Sequence, residues 1–180
     1  MSAALQILGE WPGSQQDGTY PRPQLVRASW VGRDRQVGFA HDDAMVGLAE
    51  RWYTTADPFT RQIQLPFAPE SDASGIGDKA FHPCVWYRIE LTGADLTAAA
   101  HTEGQRLILH FGAVDHQATV WVNGLLVGEH EGGQAPFSFD ITDALGEGPQ
   151  VVTVRAYEDP LDMTQPRGKQ DWMAEPHAIW

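Results

Sequence analysis

Cysteine and asparagine are nearly missing from this 180-residue chain, which holds one of each, Cys84 and Asn123. A single cysteine excludes an intrachain disulfide and favours a reducing compartment. The lone asparagine is followed by Gly124-Leu125, so no N-glycosylation sequon exists. No run approaches the ~18 consecutive apolar residues of a membrane span. The first eight residues, Met1 to Leu8, lack the basic start and long apolar stretch of a secretory signal. Together these absences predict a cytoplasmic protein without a membrane partner.

Positive charge is scarce as well, with 12 Lys and Arg against 24 Asp and Glu, a net charge of −12. Nucleic-acid binding needs a basic patch to neutralise phosphates, so that partner is excluded, as are anionic membrane surfaces. There is no Gly-rich phosphate loop and no Gly-x-Ser-x-Gly elbow. The histidines (41, 82, 101, 110, 116, 130 and 177) show no paired metal spacing on one element. His82-Pro83-Cys84 leaves a zinc site two ligands short. The acidic clusters Asp42-Asp43 and Glu129–Glu131 read as solvated turns rather than calcium loops. No metal and no other cofactor is expected.

What the chain does have is tryptophan, at 11, 30, 52, 86, 121, 172 and 180. Indole rings pack on the apolar C–H face of a pyranose, but they also fill sandwich cores, and the core reading is the first one for each. Period-2 alternation dominates from residue 61 to 159, and no stretch holds a 3.6-residue period. Arg61–Pro66 puts Ile63 and Leu65 on one face. Cys84–Leu91 puts Val85, Tyr87, Ile89 and Leu91 on one side, with Trp86, Arg88 and Glu90 opposite. Arg106–Phe111 presents Leu107, Leu109 and Phe111; Gln117–Val122 presents Ala118, Val120 and Val122. Asn123-Gly124 then predicts a tight hairpin into Leu125–His130, since both residues tolerate positive φ. Pro136–Ile141 alternates Phe137, Phe139 and Ile141, and Val151–Tyr157 turns Val152, Val154 and Ala156 inward. Thr142-Asp143-Ala144-Leu145 predicts one helical turn and no more.

Many short antiparallel strands with Gly and Pro turns predict an all-β sandwich or jelly roll, and the length fits one domain. Residues 1–23 read as an irregular arm, 24–159 as the sandwich and 160–180 as an irregular loop. The apolar pair Ile179-Trp180 at the end suggests a chain that continues.

One stretch is more specific than any pattern: Leu109-His-Phe-Gly-Ala-Val-Asp-His-Gln-Ala-Thr-Val-Trp-Val-Asn-Gly-Leu-Leu-Val-Gly-Glu-His-Glu-Gly-Gly133. With Leu65-Pro-Phe-Ala-Pro-Glu-Ser71, Trp86-Tyr-Arg88, Pro136-Phe-Ser-Phe-Asp-Ile-Thr142 and Pro166-Arg-Gly-Lys-Gln170, it resembles the N-terminal sugar-binding domain of family 2 glycoside hydrolases. That group holds β-galactosidases, β-glucuronidases and β-mannosidases. The resemblance implies a jelly-roll β-sandwich of the galactose-binding-domain-like type. Nearly all the matching residues have fold roles: Asn123-Gly124 turns a hairpin, and Gly112, Gly128, Gly132 and Gly133 permit bends or bulges.

The resemblance also implies an immunoglobulin-like domain and a catalytic (β/α)₈ barrel downstream, as partners of this one. Neither catalytic Glu of the family falls here. A barrel needs about 250 residues, and the family's Asn-Glu dipeptide is missing because the only Asn precedes Gly. In several β-galactosidases and β-glucuronidases a loop Asp of this domain reaches the bound sugar. The resemblance implies that role for Asp171, flanked by Gln170 and Trp172, against the alternative of a solvated or salt-bridged loop carboxylate. Arg167, Lys169 and Trp180 are candidate docking residues for the following domains. The expected partner is carbohydrate, bound weakly by this domain alone. Two other readings remain: an independent carbohydrate-binding module, and a sandwich used only for subunit contacts.

Overall fold

The computed structural model describes residues 31–159 and 161–165. Eight strands appear in chain order: β1 Gln36–His41, β2 Arg61–Gln64, β3 Cys84–Leu91, β4 Ile108–Phe111, β5 Gln117–Val122, β6 Leu125–Glu131, β7 Phe137–Asp140 and β8 Gln150–Tyr157. Six form one antiparallel sheet in the order β2-β1-β3-β8-β5-β6, and β4 and β7 pair as a second, smaller sheet. The expected all-β sandwich is the fold.

Apart from Val37 and Phe39 on β1, the alternation read from the sequence accounts for the interior between the sheets. Val37, Phe39, Ile63, Ile89, Leu91, Val120, Val122, Ile141, Val152 and Val154 are buried there. Leu107, Leu109 and Phe111 on and beside β4, with Phe139 on β7, close over them. Each aliphatic or aromatic side chain fully removed from water stabilises the fold by roughly 1.5–3 kcal/mol.

The outer face of the six-stranded sheet is also buried, which alternation alone does not predict. Ala40, Phe59, Cys84, Trp86 and Trp121 form a second core, with Trp52, Tyr53 and Tyr157 packed against it. Trp86 stacks on Trp121 with centroids 5.4 Å apart, Tyr53 stacks on Trp121 at 4.9 Å, and Trp52 tilts onto Trp86 at 5.9 Å. The β1–β2 connection supplies Trp52, Tyr53 and Phe59, so a long loop covers this face. Trp52, Trp86 and Trp121 are therefore core residues; Trp11, Trp30, Trp172 and Trp180 lie outside the described residues.

Two elements depart from the expectation. β1 precedes the first strand read from the sequence, because its alternation of Val37, Phe39 and His41 is short and interrupted by Gly38. A six-residue helix, α1 (Gly93–Ala98), follows β3. It is too short to show a period and is held instead by its cap. Thr92 accepts from the Asp95 amide while the Asp95 carboxylate accepts from the Thr92 amide, at 2.7 Å for the latter. Asp95 also pairs with Arg33, tying α1 to the strand of chain leading into β1.

The hairpin at Asn123-Gly124 forms as expected, with φ of 52° and 80°. Asn123 does more than turn the chain. Its amide nitrogen donates to the Ala144 carbonyl at 2.8 Å, and its amide oxygen accepts from Val151 N–H at 2.9 Å. The expected single helical turn is there too, as a 3-10 turn at Thr142–Ala144. No helix among the described residues is long and apolar enough to cross a membrane.

Candidate functional site

The register of the central strands gathers the polar chemistry at one end of the sandwich. β3 and β8 pair from Cys84↔Tyr157 to Leu91↔Gln150, and the last residue of β1, His41, lies opposite Val85. The Glu158 amide donates to the Pro83 carbonyl at 2.9 Å. Thus β1 ends, β3 begins and β8 hands the chain towards residue 160 at the same end. Gln170, Asp171 and Trp172, together with Arg167, Lys169 and Trp180, fall outside the described residues.

Two groups of side chains sit at this end, one on each face of the sheet. On the outer face Asp42 is 2% exposed, so it is not the solvated turn residue expected from the sequence. Its oxygens accept from Val46 N–H at 2.8 Å, Gly47 N–H at 2.9 Å and the Trp86 indole N–H at 3.0 Å. A buried carboxylate is tolerated here because three donors replace its water. Cys84 lies beside it, with Sγ 3.9 Å from Oδ2. Burial pushes the Cys84 thiol up to about 11, which makes it a poor nucleophile and a poor metal ligand.

On the inner face His41 and His82 lie ring on ring, with centroids 3.6 Å apart and planes within 6°. The Nδ1 atom of His82 is 2.8 Å from Asp43 Oδ1, and its Nε2 is 3.4 Å from Asp78 Oδ2. The Nε2 atoms of both histidines are buried without a hydrogen-bond partner among the described residues. Burial first, then the neighbouring His82 and Arg61, hold the His41 pKa below the ordinary imidazole value. The Ala80 amide, donating to Asp78 at 3.0 Å, keeps that carboxyl below its usual range. Ligand-capable atoms of His41, Asp78 and His82 all lie within 4.8 Å of one another.

The sequence reading set His82 beside Cys84, but the strand sends Cys84 into the outer core, away from His82. The true neighbour, His41, comes from 41 positions earlier and meets His82 only because β1 pairs with β3. The visible signal is thin: His41 continues the inward alternation of Val37 and Phe39, and Asp78-x-x-x-His82 lies on an irregular segment. Glu129 and Glu131, the other acidic pair, sit exposed on β6 rather than in a turn, where they accept from Thr119 and Gln117 across the hairpin.

A cleft runs between the two sheets, walled by apolar residues including Val85, Tyr87, Leu107, Leu109, Phe111 and Val154. His41 and His82 mark one end; Arg33 and Asp95 mark the other. Burial raises the Tyr87 hydroxyl well above its usual pKa, so it stays neutral. Polar side chains, among them Glu70, Arg106, Asp115 and Gln134, line the cleft as well.

Residues 32–164 match the family described as "Glycosyl hydrolases family 2, sugar binding domain". Among curated relatives, a β-glucuronidase of Paenibacillus borealis is 51% identical over 107 residues, covering 58% of this chain and 17% of that protein. The dog (Canis lupus familiaris) β-glucuronidase is 39% identical over 112 residues, covering 60% of this chain and 17% of its own length. Among solved structures, the Ruminococcus gnavus β-glucuronidase in complex with D-glucuronic acid superposes with a TM-score of 0.56 at 25% identity. That match covers 70% of this chain and 21% of the other. The chain thus spans about a fifth or less of each of these relatives.

Proposed function

Because the chain belongs to the sugar-binding domains of glycosyl hydrolase family 2, we propose that it is the non-catalytic domain of a retaining β-glycosidase of the β-glucuronidase type. The observation that carries this reading is the family match over residues 32–164, with β-glucuronidases as relatives. In this reading residues 24–159 are the sandwich, and 160–180 lead towards an immunoglobulin-like domain and a catalytic barrel. The small share of each relative that the chain spans leaves room for both.

Retaining hydrolysis needs two carboxyl groups about 5 Å apart, one as acid/base and one as nucleophile. The barrel supplies them. This domain supplies shape and one polar contact: Asp171, on the segment that follows β8, accepts paired hydrogen bonds from vicinal sugar hydroxyls. Such a contact holds the ring while it distorts towards an oxocarbenium ion. Arg167, Lys169 and Trp180 dock the following domains.

The test is kinetic, on the full-length enzyme with an aryl β-glucuronide. Asp171→Ala is expected to lower kcat/KM by about 100-fold, equivalent to about 2.7 kcal/mol of transition-state stabilisation. A variant within about threefold of wild type overturns the rim role. The isolated chain is expected to bind sugars only at millimolar concentration, about −4 kcal/mol. Micromolar affinity by calorimetry would point instead to an independent carbohydrate-binding module.

A further inference from the structure

We propose that His41, His82 and Asp78 form a binding site for a divalent transition-metal ion of the zinc class, with Asp43 as the positioning residue. The inference rests on this cluster's geometry and is independent of the substrate of any parent enzyme. Four observations carry it.

The first is the tautomer of His82. Its Nδ1 faces Asp43 Oδ1 at 2.8 Å, a contact that requires a proton on Nδ1. In the neutral ring the lone pair then sits on Nε2. A carboxylate on the far nitrogen is how metal-ligating histidines are commonly oriented and made more basic.

The second is what that lone pair faces. Asp78 Oδ2 stands 3.4 Å from His82 Nε2, so with a neutral ring a lone pair faces a carboxylate oxygen, and either a proton on Nε2 or a bound cation must lie between them. A metal ion competes with that proton for the same place and satisfies both atoms at once. Around a tetrahedral metal with bonds near 2.0–2.1 Å, neighbouring ligand atoms are about 3.4 Å apart.

The third is His41. Its Nε2 is buried without a hydrogen-bond partner among the described residues, and it lies in the same small set of atoms. Two neighbouring imidazole nitrogens left unpaired in one place are costly unless something binds them. The parallel rings point their lone pairs side by side. Metal capture therefore turns one ring about its χ2 torsion, which is broad for histidine.

The fourth is the donor set. Two imidazoles and one carboxylate suit zinc and its neighbours, whereas calcium and magnesium prefer all-oxygen sites. Three protein ligands leave a position open for water or an incoming group. An ion here would clamp the end of β1 to the segment that enters β3.

The experiment uses the untagged 180-residue chain, stripped with a chelator and titrated with zinc against a chromophoric competitor. One zinc per chain with a Kd of about 10 µM or tighter is expected. His41→Ala and His82→Ala should each weaken binding by at least about tenfold, and Asp43→Asn by about tenfold through loss of orientation. His101→Ala, elsewhere on the surface, should change nothing. Because the alanine variants could unfold, long-range imidazole NMR of the wild-type chain gives a second readout. The Nε2 signals of His41 and His82 should shift together on zinc addition. No stoichiometric binding at roughly 100 µM zinc overturns the site. So does full retention of binding by the folded His41→Ala/His82→Ala double variant, or a titration that leaves both imidazole signals unmoved. In those cases His82 is a plain ion-pair partner of Asp43 and Asp78.

Discussion

The Asp42 carboxylate accepts the Trp86 indole N–H at 3.0 Å inside the outer core, joining the end of β1 to the largest fully buried side chain of β3. The same carboxylate holds the amides of Val46 and Gly47, so one side chain fixes both the sheet face and the loop that covers it. Gly47 is there for room: a Cβ at this position would stand 2.7 Å from Asp42 Oδ2 and 2.8 Å from the Trp86 ring.

Asp42→Ala should therefore be severe, with a stability loss of about 3 kcal/mol or more, since three donors, two of them buried, lose their acceptor. Trp86→Phe removes one donor and some packing. In a double-mutant cycle, the pair should show a coupling of about 1–3 kcal/mol by denaturant titration. Additive losses would show that Asp42 serves the loop alone.

Gly128 lies opposite Val120 where β6 carries one extra residue, so it sits beside a bulge, as expected from the sequence. Its lack of a side chain has a further cause: a Cβ would come within 2.2 Å of the Phe139 ring on the second sheet. Gly128→Ala should cost about 1–3 kcal/mol by overpacking, and most of that should vanish in a Phe139→Leu background. Thermal melts of the two single variants and the double variant check this. An equal loss in both backgrounds would place the strain in the β6 backbone.

Cys84 reports on the outer core through its proton. The folded thiol titrates at about 11 against an ordinary 9.0. The unfolded chain therefore loses this proton first as pH rises. The thiol's share of stability is complete below pH 9 and is lost between about 9 and 11. At pH 8 the folded protein should hold about 100-fold less thiolate than the unfolded chain. Alkylation by iodoacetamide should accordingly track unfolding. Rapid labelling of the native protein, with an unchanged melt, would mean that the loop over the outer core opens.

Legibility from sequence followed the number of sides on which a strand is buried. β3 and β5 occur at the bounds that alternation gave, because their inner faces carry unbroken apolar rows. The same pattern left Trp86 looking outward, since burial of the second face depends on a loop from residues 42 to 60 folding back over it. No local period encodes that return. The His41–His82 pair was hidden for a related reason: its members meet by strand register, and neither carries a partner at a fixed spacing in its own element. The hairpin was the opposite case, because Asn123-Gly124 acts entirely within four residues. Even there, the contacts of Asn123 to Ala144 and Val151 were out of reach.

Among the described residues β8 is the last strand in chain order and the one that occupies the middle of the large sheet, between β3 and β5. Before it arrives, β2-β1-β3 and β5-β6 are two separate ribbons, each ending in an unpaired edge. Those edges belong to β3 and β5, whose residues are largely apolar, and exposed edges of that kind recruit other chains. A nascent or prematurely terminated polypeptide ending before Gln150 therefore carries an open seam that only synthesis of Gln150–Tyr157 can close. Vulnerability to misassembly during translation is built into the strand order, and it ends when the eighth strand slots into place.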